Sequence, residues 1–317
     1  MTGSGQSGPA TPKTGPTVSV VVPVLNDPAG IDRILGSLTT QTYPDSDYEV
    51  IIVDNGSSDE TPAVIDSFVD EYPDLVTHLT ETGRQSSYAA RNIGIVAADG
   101  STIAFVDADM RAPETYLEQV ANALADGPDY VGCNVVVEIG RDTYPARYNQ
   151  LFALDVQRNL EQFDFASTAA LAIDCTVVEH IGCFDGRMIS SGDAVFGQQV
   201  KNAGFDMEFC SDIIINHLAR ETVRELVERD LRIGKGIAQW ELLHPRTFDG
   251  PPVYDPQPFL PPDPRHYLDR LSTALDHSSR SEPLSRVEIV VFYFLFYSQC
   301  LFRAVGRLIE RLGDEKR

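Results

Sequence analysis

Thr102-Ile103-Ala104-Phe105-Val106-Asp107-Ala108-Asp109 carries a short apolar run straight into two carboxylates. A continuous apolar run of this length reads as a strand buried on both faces. In an open parallel sheet, ligands bind beyond the carboxyl ends of the strands. Residues i and i+2 of extended backbone point to the same side, so Asp107 and Asp109 are expected to face one site. Two hard oxygen ligands with room for substrate phosphates suit Mg²⁺ or Mn²⁺. A helix-capping pair is the alternative, because Asp caps well and a helix follows.

Outward from this stretch, apolar runs alternate with helical patterns. Upstream, strands are expected over Thr17–Leu25, Tyr48–Asp54 and Leu75–Leu79. Helices are expected over Pro28–Gln41, from the turn after Asn55–Ser58 to about Glu71, and over Arg84–Ala98. Downstream, the spacing predicts helices at Pro113–Ala125 and Asp193–Ala203, and strands at Tyr130–Ile139, Ala169–Ile173, Phe205–Phe209 and Ile213–His217. A long helix follows over Glu221–Leu243, and a closing helix over Leu284–Leu312. Between them, residues 244–265 hold eight prolines and read as an irregular arm. The whole reads as an α/β fold with a mainly parallel sheet covered by helices on both faces, followed by a helical C-terminal extension. The expected division is a disordered leader over 1–16, one nucleotide-binding domain over 17–220 and the extension over 221–317.

Other polar groups fall at strand ends. Asp54 closes Tyr-Glu-Val-Ile-Ile-Val-Asp, and Pro23-Val24-Leu25-Asn26-Asp27 ends the first strand in the same plane. The segment Gly83–Asn92 offers small residues for close backbone approach, with Arg84 and Arg91 able to neutralise a diphosphate. A surface ion pair is the alternative for Arg91.

The 317 residues carry a formal charge of −22, with Lys only at 13, 201, 235 and 316. Such a surface repels phosphate backbones and argues against a nucleic-acid partner. Dispersed acid with scarce Lys points to a high-salt cytoplasm and a halophilic archaeal source; an ordinary acidic protein is the alternative. Five cysteines without a CxxC pair argue for a reducing compartment. The polar, Gly/Pro/Ser-rich residues 1–16 lack the pattern of a signal peptide.

The motifs Ser19–Asp27 (SVVVPVLND), Val50–Thr61 (VIIVDNGSSDET), Ala90–Gly100 (ARNIGIVAADG) and Phe105–Asp109 (FVDAD) come in the order and spacing of one family. They resemble the inverting glycosyltransferases of family 2, with the GT-A fold. Ile181–Asp185, Ser191–Gly197 and Cys210–His217 resemble that family's acceptor side, so the resemblance covers about 17–220. It implies a nucleotide-sugar donor (UDP- or GDP-linked), with Pro23, Asp27 and Asp54 at the base and ribose. Arg91 would sit near the diphosphate, Asp107 at ribose or metal, and Asp109 on the Mn²⁺ or Mg²⁺. Asp193 would be the general base. Many members have Glu-Asp where this chain has Gly192-Asp193.

The implied chemistry is coherent. Negative charge grows on the diphosphate leaving group, where a divalent metal and Arg stabilise it. A carboxylate base activates the acceptor hydroxyl, and one base without a covalent nucleophile means inversion. Asp193 also reads as the N-cap of the helix that follows. His217 reads either as a further metal ligand or as a hydrogen-bonded histidine at a strand end. Arg232, Lys235 and Trp240 are candidates to reach the diphosphate or acceptor, or else belong to a packed helix.

Ile289–Tyr297 is strongly apolar, and Arg303, Arg307 and Arg311 follow at four-residue spacing. Residues 284–312 therefore read either as a peripheral membrane contact near a lipid-linked acceptor, at the inner face of the membrane, or as a helix packed on the domain or on a second copy. Two other classes of function remain beside glycosyl transfer. A nucleotidyltransferase would need a Gly-rich basic loop after the first strand, where this chain has Pro-Val-Leu-Asn-Asp. A non-catalytic sugar-nucleotide-binding relative would not need Asp109 and Asp193.

Overall fold

The computed structural model describes residues 17–314 except 126, 253–254 and 279–282; the leader expected over 1–16 lies outside the described residues. The first half alternates strand and helix: β1 (Val18–Val24), α1 (Pro28–Leu38), β2 (Tyr48–Asp54), α2 (Thr61–Glu71), β3 (Val76–Thr80), α3 (Ser87–Ala97) and β4 (Thr102–Val106). Then come β5 (Met110–Arg111), α4 (Tyr116–Ala125), β6 (Tyr130–Glu138), α5 (Tyr144–Phe152), α6 (Val156–Phe163), β7 (Ala170–Asp174), α7 (Cys175–Ile181), α8 (Gly192–Ala203) and β8 (Met207–Leu218). Three long helices close the chain: α9 (Val223–Leu243), α10 (Pro264–Asp276) and α11 (Arg286–Asp314).

The eight strands form one sheet in the order β3-β2-β1-β4-β7-β6-β8-β5. Its first four strands are parallel, β7 runs against both neighbours, β6 and β8 are parallel, and β5 is antiparallel to β8. Every residue of β1 is buried, as its unbroken apolar run demands. Pro23 stands where the pairing to β4 has already ended at Val21, a position in a central strand that tolerates a missing N–H. Along β2, Ile51 and Val53 pack with Ala90 of α3, while Val50 and Ile52 join the larger core on the other face. Gly94 lets α3 sit close to β1, since a Cβ there would meet Val21 Cγ1 at 2.3 Å.

Two expectations are corrected. The two short strands expected at 205–209 and 213–217 are one strand, β8. Cys133 of β6 pairs with Cys210 and Asn134 with Ile214, so Ser211, Asp212 and Ile213 form a bulge rather than a break. Among its described residues the proline-rich arm is irregular up to a 3₁₀ turn at Gln257–Phe259, but Pro264 begins α10, with Asp263 as its N-cap. The short helices α5, α6 and α7 were not expected.

A second apolar core, built by Tyr148, Leu151, Leu226, Tyr267, Leu271 and Phe292, joins α5, α9, α10 and α11. Helices α9 and α11 approach through glycines: a Cβ on Gly234 would lie 2.1 Å from the Arg303 carbonyl oxygen, and one on Gly306 2.3 Å from that of Leu231. Arg303 and Arg307 face inward, onto Asp230 and Glu241, so they do not form an outer basic stripe.

Candidate active site

Beyond the carboxyl end of β4 lies a cavity of about 570 Å³ whose lining includes Arg91, Asp107, Asp109, Asp193, His217 and Trp240. A smaller cavity of about 260 Å³ is lined by Pro23, Val24, Leu25, Asn55, Gln85 and Ser86. Ser87 and Arg232 line both, so the two spaces adjoin.

Asp107 and Asp109 do face one site, though not as an extended pair. Strand β4 ends at Val106, and the Met110 N–H donates to the Asp107 carbonyl at 3.2 Å, closing a turn. Met110 then pairs with His217 of β8. That pairing brings Asp109 Oδ2 to 3.2 Å from His217 Nε2 across 108 residues of sequence. Asp107 is held instead by the buried Arg91 guanidinium.

Burial raises the proton affinity of the Asp109 carboxyl, but the hydrogen bond and charge of His217, with Arg220 beyond, more than offset it; the net shift is downward. His217 is buried and its Nδ1 has no hydrogen-bond partner. Among the described residues no group of three His, Cys, Asp or Glu side chains gathers to cage a metal. The donor set still fits Mg²⁺ or Mn²⁺, which take one or two protein ligands and complete their shell with substrate phosphates and water.

Asp193 sits in the first turn of α8, and the N-cap is Ser191, in the left-handed region at φ 62°. The N-cap reading of Asp193 is thereby replaced. Its Oδ1 accepts from its neighbour's Ala194 N–H at 3.0 Å and from the Tyr88 hydroxyl at 3.3 Å. Burial at the cavity floor pushes the carboxyl pKa up, against the opposing pull of Arg91, the Ala194 N–H and Tyr88. Gly192 explains the departure from Glu-Asp: a Cβ there would lie 2.8 Å from the Tyr88 ring. The ring thus occupies the space a side chain would need, and its hydroxyl reaches the carboxylate.

Other predicted residues fall in less direct positions. Pro23 lines the smaller cavity, but Asp27 and Asp54 line neither. Asp27 caps α1 by accepting from the Gly30 N–H at 2.8 Å, and Asp54 accepts from the Ser57 N–H at 3.0 Å. Arg84 is exposed; its carbonyl takes a hydrogen bond from Asn55 Nδ2 at 2.8 Å. Trp240 and Arg232 reach the cavity, whereas Lys235 does not line it. Sequence reasoning missed Tyr88 as the partner of Asp193, although it lies in the Gly83–Asn92 segment already singled out. It also missed Arg158, Arg220, Arg229, Arg270 and Arg303, all on the cavity wall.

A family model described as glycosyl transferase family 2 matches residues 19–188. Glycosyltransferase AglE of Haloferax volcanii is 37% identical over 237 residues, covering 72% of this chain and 76% of that protein. Pre-mycofactocin glycosyltransferase of Mycobacterium tuberculosis is 27% identical over 74% of this chain, which spans half of that protein's length. Among solved structures, the mannosyltransferase PcManGT of Pyrobaculum calidifontis in complex with GDP-Man and Mn²⁺ aligns over 95% of this chain and 88% of its own, with TM-score 0.62 at 19% identity. The TarS 1–349 fragment of S. aureus in complex with UDP-GlcNAc aligns over 94% and 92%, with TM-score 0.53 at 16% identity. At these identities the structural likeness shows the GT-A fold alone.

Proposed function

This chain belongs to glycosyl transferase family 2, and from that premise we propose that it inverts the anomeric centre of a UDP- or GDP-linked sugar, with Asp193 as general base and Asp109 and His217 holding Mn²⁺ or Mg²⁺. The observation that carries this reading is the convergence of Asp109, His217 and Asp193 on one cavity beyond the carboxyl end of β4. Asp109 and His217 stand 3.2 Å apart with His217 Nδ1 unpaired, as two adjacent donors for one ion would, and burial pushes the Asp193 carboxyl up, as suits a proton acceptor. The family, the fold and the nucleotide sugars in both structural neighbours support a nucleotide-sugar donor.

The base and ribose occupy the smaller cavity beside Pro23, with Asp27 and Asp54 shaping its rim through the turns they cap. The diphosphate lies at the junction of the two cavities, near Arg91 and Arg232. Held by Asp109 and His217, a divalent ion would supply Lewis-acid stabilisation of the leaving diphosphate. Arg91 fixes Asp107 and adds positive charge. Asp193 takes the proton from an acceptor hydroxyl as the sugar is attacked, and Tyr88 orients its carboxylate. Residues 17–220 form the catalytic domain, and α9, α10 and α11 of the extension close the cavity from the other side. The acceptor is a hydroxyl or phosphate compound, lipid-linked in a surface-glycan or protein-glycosylation pathway. The enzyme works in the cytoplasm, with 284–312 touching the inner face of the membrane.

A screen of UDP- and GDP-sugars in high salt with Mn²⁺ or Mg²⁺ tests this. Metal-dependent binding of one donor, lost in Asp109→Ala, is the expected result. A folded protein that binds no donor would point to a non-catalytic relative.

A further inference from the structure

The larger cavity extends past Asp193 to a wall built by α6, α9, α10 and α11, which carry Arg158, Arg229, Arg270 and Arg303. In a chain of net charge −22, a cavity wall of four arginines runs against the composition. Their carboxylate partners are few. Asp230 takes Arg229 at 3.0 Å and Arg303 at 3.1 Å. Asp155 takes Arg270 at 3.5 Å and His277 at 3.2 Å. Arg158 has no carboxylate within ion-pair distance among the described residues, and instead lies 4.9 Å from the Phe163 ring centroid. Four guanidinium groups thus face two carboxylates, in a wall where the Arg229 side chain is 9% exposed. The like charges work against each other. Desolvation lowers the proton affinity of Arg158, and Arg270 and Arg303 lower it further against the pull of Asp155; desolvation does the same to Arg229, where Asp230 opposes it and Arg303 and Arg220 add to it. Partly buried, unbalanced cations are costly unless an anion completes them.

Resting on the glycosyl-transfer reading of the same cavity, we infer that this wall is an acceptor subsite for a phosphate or diphosphate group. The two unmatched positive charges suit a phosphate monoester, which carries about two negative charges near neutral pH. Guanidinium forks match phosphate oxygens two at a time. Docked there, the acceptor would present its nucleophile along the cavity toward Asp193. The donor's own diphosphate belongs one helical turn further along α9, where Arg232 joins the smaller cavity. Phe152 and Phe296 line the arginine end as well and offer apolar surface beside the anion.

The test uses the full chain in high salt with inorganic pyrophosphate as probe and a chelator present, so that no metal draws the probe to Asp109. Pyrophosphate should raise the Tm of the wild type. Arg158→Gln should need about tenfold more probe or worse for the same rise, the loss of one charge-assisted hydrogen-bonding group. Without ligand, the same variant should melt at or above the wild-type temperature, because a repelled cation has been removed. Arg303→Gln serves as a second variant, with the same expected loss of probe binding. Metal-dependent donor binding is scored separately and should be unchanged in both. If both variants bind pyrophosphate as the wild type does, or weaken donor binding in parallel, the subsite is overturned. Donor binding that fails in the wild type while pyrophosphate protection persists would sink the glycosyl-transfer reading and leave the anion subsite standing. Glucose 1-phosphate and a short isoprenyl phosphate then separate the sources: the tighter ligand of the two identifies a dissolved or a membrane-borne acceptor.

Discussion

A methyl group on Gly236 would lie 2.4 Å from the Ser190 carbonyl oxygen, so helix α9 rests directly on the turn that delivers Asp193. The C-terminal helices are therefore coupled to the proposed catalytic carboxylate through backbone contact. Gly236→Ala should cost about 1–3 kcal/mol of stability by overpacking. It should also lower turnover about 10²-fold, the usual penalty for a misplacement of about 1 Å at a reacting group. Thermal unfolding and sugar-transfer assays would measure both. Gly36→Ala is the control: nothing lies within 4 Å of a Cβ there, and it sits inside α1. It should gain up to about 1 kcal/mol and leave turnover unchanged.

The pH profile should report Asp193. As a base it works only when ionised, and burial holds its pKa above the ordinary 3.8, so the acid limb of kcat/KM lies above that pH. The Tyr88 hydroxyl favours the ionised form, and Tyr88→Phe should move the limb to higher pH. The folded state holds this proton more tightly than the unfolded chain, so this group's contribution to stability grows as pH falls through its raised pKa. Loss of activity on that limb should therefore come without unfolding from this residue. A limb that stays in place in Tyr88→Phe would contradict the assignment.

Much of this was legible in the chain. The bounds of β2 can be read directly from Tyr48–Asp54, because an unbroken apolar run between turn residues has few other readings. That Asp107 and Asp109 face one cavity was legible, but for another reason than alternation along a strand: a turn and the pairing of Met110 with His217 bring them there. What escaped depends on tertiary approach. Tyr88 meets Asp193 across 105 residues, and the need for Gly192 follows only once the Tyr88 ring is placed. Helix α6 is eight residues long and only Val156, Leu160 and Phe163 in it are apolar, too short a pattern to mark a helix or to place Arg158. The bulge at Ser211–Asp212 looks like a strand break in any local reading.

Helix α11 is long and apolar enough to cross a membrane by length and composition, with a mean hydropathy of 1.6 over an 18-residue stretch. Its inner face holds Phe292, Phe296 and Ala304 against the protein. On the outer side Val287, Val290 and Phe294 are 58%, 54% and 62% exposed, at i, i+3 and i+7. The proposed membrane contact uses this stripe. Val290→Asp with Phe294→Asp should abolish co-sedimentation with phosphatidylcholine vesicles, a loss of about 3 kcal/mol or more for two apolar side chains. Binding that survives both substitutions would exclude the stripe as the contact.

The most direct test is the single-turnover rate of Asp193→Asn on saturating donor and acceptor, with donor affinity and Tm measured alongside. The rate should fall by about 10²–10⁴. Donor affinity should hold, and Tm at neutral pH should stay level or rise, because a carboxylate that burial disfavours has been neutralised. A rate within a few-fold of wild type would contradict Asp193 as the base, and with it the proposed mechanism of transfer.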